Sequence, residues 1–254
     1  MTRKNSNNSK RKNQVSRSPY RLIKLNLFFI PVVIISIILS IRTLLGPLYR
    51  PYIFFISEDG PFEFATFFVY LFTFIVSLLI GNSFRKSKRK SLAISFFILA
   101  CVFILIALEE ISWGQRILGF ETTGIFSKST QGEVSIHDLR PFADFEDIAF
   151  IVVGLSGGLL WVILSKLNNI KFNTFKRFFV PSWYLMSYFI PVSIFYIILN
   201  LAPPDLSSLE GIRGSFFFPK EQEPFEFFLS LGFLGFSLAN YLRLRHMNIQ
   251  NETL

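Results

Sequence analysis

The chain has 254 residues, a net charge of +9 and 17% charged residues, against roughly a quarter in a typical soluble domain. Half of it is apolar, phenylalanine fills 33 positions, and the apolar residues gather in long uncharged runs, which excludes an ordinary soluble core. The positive charge sits in short segments flanking those runs, which excludes a nucleic-acid partner and matches the way a membrane protein sets its orientation.

Residues 1–24 hold eight Lys or Arg and no acid, interleaved with Asn and Ser, and read as a disordered basic tail. The apolar stretch Leu25 to Ile41, continuing past Arg42 to Leu48, is long for a signal peptide and lacks a small-residue cleavage site. It reads as the first span. The second run is Phe64–Ser83 and the third is Ser91–Leu108, both uncharged. The third contains Cys101, the single cysteine, which reads as small apolar filler rather than a reactive thiol. Ile148–Ser165 is the fourth, with Gly154, Gly157 and Gly158 available for close helix packing. Phe178–Pro204 is the fifth, with Pro191 marking a kink. Phe227–Leu242 is the sixth, short unless it begins at Pro224. Each approaches the roughly 20 residues that cross a hydrocarbon core. The fold class is therefore all-α: a polytopic transmembrane bundle of about six spans over 25–243, an outer loop at 109–147, and a C-terminal tail at 244–254.

Basic residues fix the expected orientation. The N-terminal tail, segment 84–90, segment 166–177 and the C-terminal tail are alternate connections, and together they hold 19 of the 26 Lys and Arg. The positive-inside rule then places both termini in the cytoplasm. Sixteen of the 17 acids fall on the opposite, outer side, and only Glu252 does not. Acids contribute little to orientation, so this bias needs another cause.

The outer loop opens with Glu109-Glu110-Ile111-Ser112-Trp113-Gly114-Gln115-Arg116. If the third helix continues, Glu109, Trp113 and Arg116 share one face. Paired carboxylates at a membrane boundary are costly unless partnered, metal-bound or wet. A bland alternative is an interfacial helix end, with Arg116 neutralising an acid and Trp113 in the aromatic belt. Gln131, Glu133 and His137 follow; Glu133 and His137 are four apart and project together from a helix. A histidine with several carboxylates suits a divalent metal or acid/base chemistry, although a lone loop histidine is more often simply solvated. Two segments read Glu-x-x-Pro-Phe-Glu-Phe: Glu58–Phe64 before the second span and Glu221–Phe227 before the sixth. Proline at a helix start and a glutamate in its first turn are favourable in themselves. The topology nevertheless puts both at one face, with Glu63 and Glu226 directed into the bundle and Asp144, Glu146 and Asp147 completing a ring. No phosphate loop, nucleophile elbow or His-Glu-x-x-His is present in the sequence.

The block Glu109–Arg116, followed by Gly119, Gln131, Glu133 and His137, resembles a group of uncharacterised bacterial multi-pass membrane proteins. These carry a Glu-Glu-x-Ser-Trp-Gly-Gln-Arg block and a downstream Gln-x-Glu…His element. The resemblance covers roughly 30 residues (about an eighth of the chain) and implies a bacterial cytoplasmic (inner) membrane location, without a known activity. A weaker likeness is to the alkaline-ceramidase-like membrane hydrolases, in which an acidic segment similar to Glu58–Phe64 opens a span and several histidines bind zinc. This chain lacks the extra histidines and shows six apparent spans rather than seven.

The leading expectation is a membrane-embedded hydrolase or transferase acting on a lipid or lipid-linked substrate at the outer interface. Glu109, Glu110, His137 and Arg116 form its catalytic set, with Arg116 holding an anionic headgroup. Trp113, Gln115 and Gln131 contact substrate, and a divalent metal is placed among Glu110, Glu133, His137, Glu63 and Glu226. The alternative is a non-enzymatic scaffold, assembly factor or transporter subunit. Oligomeric state is open.

Overall fold

The computed structural model describes residues 17–46, 49–57, 60–124, 126, 134–136, 139, 143–166, 174–203 and 221–252. Every regular element among the described residues is helical. Among them, α1 is Arg17–Leu45, α2 Arg50–Ile56, α3 Pro61–Lys86 and α4 Lys90–Glu110. A short 3-10 turn, Ser112–Gly114, leads into α5, Gln115–Leu118. Then come α6 (Ala143–Lys166), α7 (Thr174–Phe179), a 3-10 turn at Trp183–Leu185, α8 (Met186–Leu201) and α9 (Gln222–Glu252).

Six stretches are long and apolar enough to cross a membrane: Leu22–Leu45, Arg50–Lys86, Lys90–Glu110, Phe145–Leu164, Arg177–Leu201 and Gln222–Met247. The protein is an all-α, multi-pass membrane protein. Helices suit this medium because each closes its own backbone hydrogen bonds where no water can. Two buried threonines follow the same rule. Thr66 and Thr73 each donate to the carbonyl four residues back, Phe62 and Val69 respectively.

Several boundaries differ from the sequence expectation. Arg17–Lys24, which the sequence reading assigns to the basic tail, are helical and open α1. A short helix, α2, precedes the second span. Pro51 at its first turn suits a helix start, and Tyr52 and Ile56 pack inward against Ile38. The sixth span begins at Gln222, just ahead of Pro224, and α9 continues as a helix through residues 244–252. Pro191 lies inside α8, which runs on to Leu201.

Two packed groups share α9. The hairpin of α3 and α4 lies against one side of it, and α8, backed by α6, lies against the other. The glycines of α6 let it approach α8 closely. A Cβ at Gly154 would stand 2.7 Å from the Phe189 carbonyl oxygen, and one at Gly157 would enter the Phe189 ring. Phe189 also covers Gly232 of α9 and meets Phe233 edge-on at 5.4 Å, so this one ring joins three helices. Tyr70, Phe103 and Ala107 form the seam between α3 and α4. At the far end, Phe84, Phe96 and Phe178 close a second core. By contrast, α1 rests only lightly on α8 and the Trp183–Leu185 turn, and 6% of its most apolar window is buried. Cys101 is exposed on α4, so it faces outward rather than filling the core.

Candidate functional site

Alternating helix direction brings the end of α1, the start of α3, the end of α4, the start of α6, the end of α8 and the start of α9 to one end of the bundle. The polar side chains there come from all six elements. The Pro-Phe-Glu-Phe parts of the two repeated segments, 61–64 and 224–227, meet at this end, with the Phe62 and Phe227 rings 5.6 Å apart.

At the centre are Glu110 on the last residue of α4 and Glu223 and Glu226 in the first turns of α9. One carboxylate oxygen from each lies within 4.8 Å of the other two. Glu223 is buried, while Glu110 and Glu226 are partly buried. Glu223 and Glu226 are three apart, so the helix itself puts both on one face. At that spacing and an effective dielectric of about 20, each ionised pair repels by about 3 kcal/mol. All three charges together would cost roughly 10 kcal/mol if uncompensated, as much as a typical fold is worth. The trio therefore demands positive charge or protons. Glu63, 7% exposed at the start of α3, and Glu146 at the start of α6 add their fields at Glu110.

The neighbours of this trio are ordered by hydrogen bonds. The Tyr196 hydroxyl donates to Glu226 Oε1 at 2.9 Å, and Tyr196 is itself stacked on Phe150 with ring centroids 4.6 Å apart. One turn on, the Asn200 amide donates to Asp147 Oδ2 at 2.8 Å and ties α8 to the start of α6.

Beside the trio, α4 does not continue as a helix. Ser112, Trp113 and Gly114 take φ values of 46°, 54° and 83°, all left-handed. That conformation is unfavourable for serine and tryptophan and natural for glycine. The reversal still returns the Trp113 indole N–H to Glu109 Oε1. Glu109 Oε2 accepts from Ser135 Oγ at 3.0 Å and from the Ile136 N–H at 2.7 Å. Gln115 bridges the same loop, accepting from the Val134 N–H at 2.6 Å and donating to Thr122 Oγ1 at 2.8 Å. Adjacent glutamates thus do different work: Glu109 pins the loop and Glu110 joins the trio.

On the other flank, Arg42 Nε donates to Glu221 Oε1 at 2.7 Å, and the Tyr52 hydroxyl donates to the same oxygen at 2.6 Å. Both charged side chains are nearly enclosed, at 10% and 2% exposure. The ion pair and the Tyr52 hydrogen bond tie α1 and α2 to the residue just before α9, two positions ahead of Glu223.

Of the residues singled out from the sequence, the structure brings Glu110 and Glu226 together and sets Glu63 beside them. Glu109, Trp113 and Gln115 hold the loop. The sequence expectation that Glu109, Trp113 and Arg116 share a continuing helical face does not hold, because the left-handed turn intervenes. Gln131, Glu133 and His137 lie outside the described residues, as do the side chains of Arg116 and Asp144; the described residues 134–136 between Glu133 and His137 are not helical. Sequence reasoning did not single out Glu223 or Tyr196. The three-residue spacing of Glu223 and Glu226 was a usable signal, whereas the Tyr196 contact depends on how α8 packs. No family model matches the chain, and neither curated proteins nor solved structures offer a match.

Proposed function

We propose that this multi-pass membrane protein is a membrane-embedded hydrolase or transferase that holds a divalent cation on Glu110, Glu223 and Glu226 and acts on a lipid or lipid-linked substrate. One observation carries the reading: three carboxylates from two separate helices converge to ligand spacing at one end of the bundle. An all-oxygen donor set suits a hard cation such as magnesium, manganese or calcium better than zinc. Such a cation would neutralise the trio and polarise a substrate oxygen. Arg116, in the adjoining turn, would hold an anionic headgroup, and His137, one residue past the anchored Ile136, would serve as acid or base. In this reading the acidic end is the outer face, both termini are cytoplasmic, the membrane is the bacterial cytoplasmic one, and the chain belongs with the proteins carrying the Glu-Glu-x-Ser-Trp-Gly-Gln-Arg block.

The test is to incubate the purified protein in nanodiscs with a total bacterial lipid extract and follow lipid species by mass spectrometry. The reading expects a new species from the wild type that is lost in Glu110→Gln and on chelation. A species formed equally by Glu110→Gln, or none from the wild type, overturns it.

A second reading, a non-enzymatic scaffold or transporter subunit, draws on α1. Its Val32, Val33, Ile37, Ile41 and Leu44 line an open groove and are barely covered by the rest of the chain. Recovery of the protein with a stoichiometric partner would favour it.

A further inference from the structure

The end of the bundle opposite the carboxylates is strongly basic. It carries the Arg85–Lys90 connection, Arg177 of α7, Arg243 and Arg245 of α9 and Lys24 of α1, and the segments that reach it hold a single acid, Glu252. Most of these are ordinary orientation charges. Arg243 is different, because the fold holds it in place.

The Arg243 guanidinium lies over the Phe178 ring, 5.6 Å from its centroid. Its Nη1 donates to the Arg177 carbonyl oxygen and, at 2.9 Å, to Asn240 Oδ1. Asn240 is fixed in turn, since its amide donates to the Phe178 carbonyl oxygen at 2.9 Å, and the residue is 2% exposed. Phe178 is fully buried and meets Phe84 edge-on at 4.9 Å. The guanidinium is therefore clamped on one side by a buried aromatic and on another by an oriented amide.

This clamp uses Nη1 only. Among the described residues, no protein acceptor meets Nε or Nη2, and no carboxylate pairs with Arg243 or with Arg177, whose own charge repels it. The Nε–Nη2 edge is the one that receives two oxygens of a phosphate side by side. The α9 span runs to Met247, which places Arg243 about a turn inside its end. Nearby, Lys24 sits over the Tyr184 ring at 5.8 Å, with Trp183 against Phe28, an aromatic belt at the same end.

We infer that Arg243 and Arg177 form a binding site for the phosphodiester of an anionic phospholipid on the basic face of the bundle. The lipid phosphate takes the open Nε–Nη2 edge of Arg243, and its net negative charge offsets the repulsion between the two arginines. The acyl chains then lie along the apolar surface. A basic pocket between helices is a recurrent setting for such headgroups. This site is separate from the carboxylate centre and does not depend on the activity proposed there.

The test uses the full chain in nanodiscs of equimolar phosphatidylglycerol and phosphatidylcholine, followed by detergent extraction and native mass spectrometry of retained lipid. Thermal melting of each variant reports folding. Wild type should retain phosphatidylglycerol over phosphatidylcholine. Arg177→Gln, whose side chain bears no load, should lower the preference about fivefold, the effect of one interfacial cation. Arg243→Lys keeps the charge and loses the two-toothed edge, so it should also lose retention. Arg245→Gln, stacked instead on Tyr241, should retain lipid as the wild type does. Added inorganic phosphate should not displace the lipid at millimolar concentration. Equal retention by wild type, Arg177→Gln and Arg243→Lys, or no preference in the wild type, overturns the inference. Displacement by inorganic phosphate alone would also overturn it by showing a simple anion site.

Discussion

Removing the charge from either member of the Arg42–Glu221 pair should destabilise the protein severely, and removing both should cost much less than the sum. The two charges meet at 2.7 Å inside the bundle, with Tyr52 adding a hydrogen bond to the same carboxylate. At an effective dielectric of about 20 their attraction is about 6 kcal/mol. Desolvating each ion costs several kcal/mol, so the intact pair is nearly neutral relative to an apolar replacement. One charge left alone keeps its desolvation cost without its partner. We therefore expect Arg42→Met and Glu221→Gln each to lose about 3–5 kcal/mol, and the double variant to regain about 2–4 kcal/mol of that sum. The assay is a double-mutant cycle on reversible unfolding in bicelles, with insertion into the membrane checked separately. Strict additivity, or single losses below about 1 kcal/mol as for an exposed pair, would refute the picture of an enclosed latch.

Three further outcomes follow from the same geometry. Glu109→Ala removes the carboxylate acceptor shared by Trp113, Ser135 and Ile136, so hydrogen exchange at Ile136 should rise and proteolysis within 119–142 should begin, at a local cost of about 1–3 kcal/mol. Protection unchanged at Ile136 would contradict the anchor. Gly154→Ala forces α6 off α8, because its methyl would meet the Phe189 carbonyl oxygen at 2.7 Å; thermal unfolding should show a loss of about 1–3 kcal/mol. A neutral result would mean that the two helices do not pack at that distance. The arginine variants at the basic end should alter lipid retention without changing the cation content of the acidic end.

The span count and the segregation of acids were legible in the sequence, because membrane helices announce themselves as long uncharged runs and need no tertiary information. Glu110, Glu226 and Glu63 were legible as candidates for the same reason: a carboxylate at the rim of an apolar run has a cost that something must offset. The division of labour between Glu109 and Glu110 was not. It depends on a left-handed turn at Ser112 and Trp113 that ordinary propensities oppose, since neither residue favours positive φ. The Arg42–Glu221 pair was equally hidden, because its members are 179 residues apart and only packing of α1 and α2 against α9 joins them. Glu223 is hidden in the sequence for a local reason. A glutamate beside a proline at a helix start is adequately explained by the helix dipole, and that explanation concealed its alignment with Glu226.

The central claim is that Glu110, Glu223 and Glu226 bind a divalent cation, and elemental analysis of the purified protein tests it most directly. After equilibration with magnesium, manganese or calcium and removal of free ion, the account predicts one equivalent of a hard divalent cation in the wild type. It predicts loss of that ion in Glu110→Gln and in Glu223→Gln, with the helical content of both variants unchanged. Wild-type protein free of divalent metal, or an equivalent retained in both variants, would contradict it.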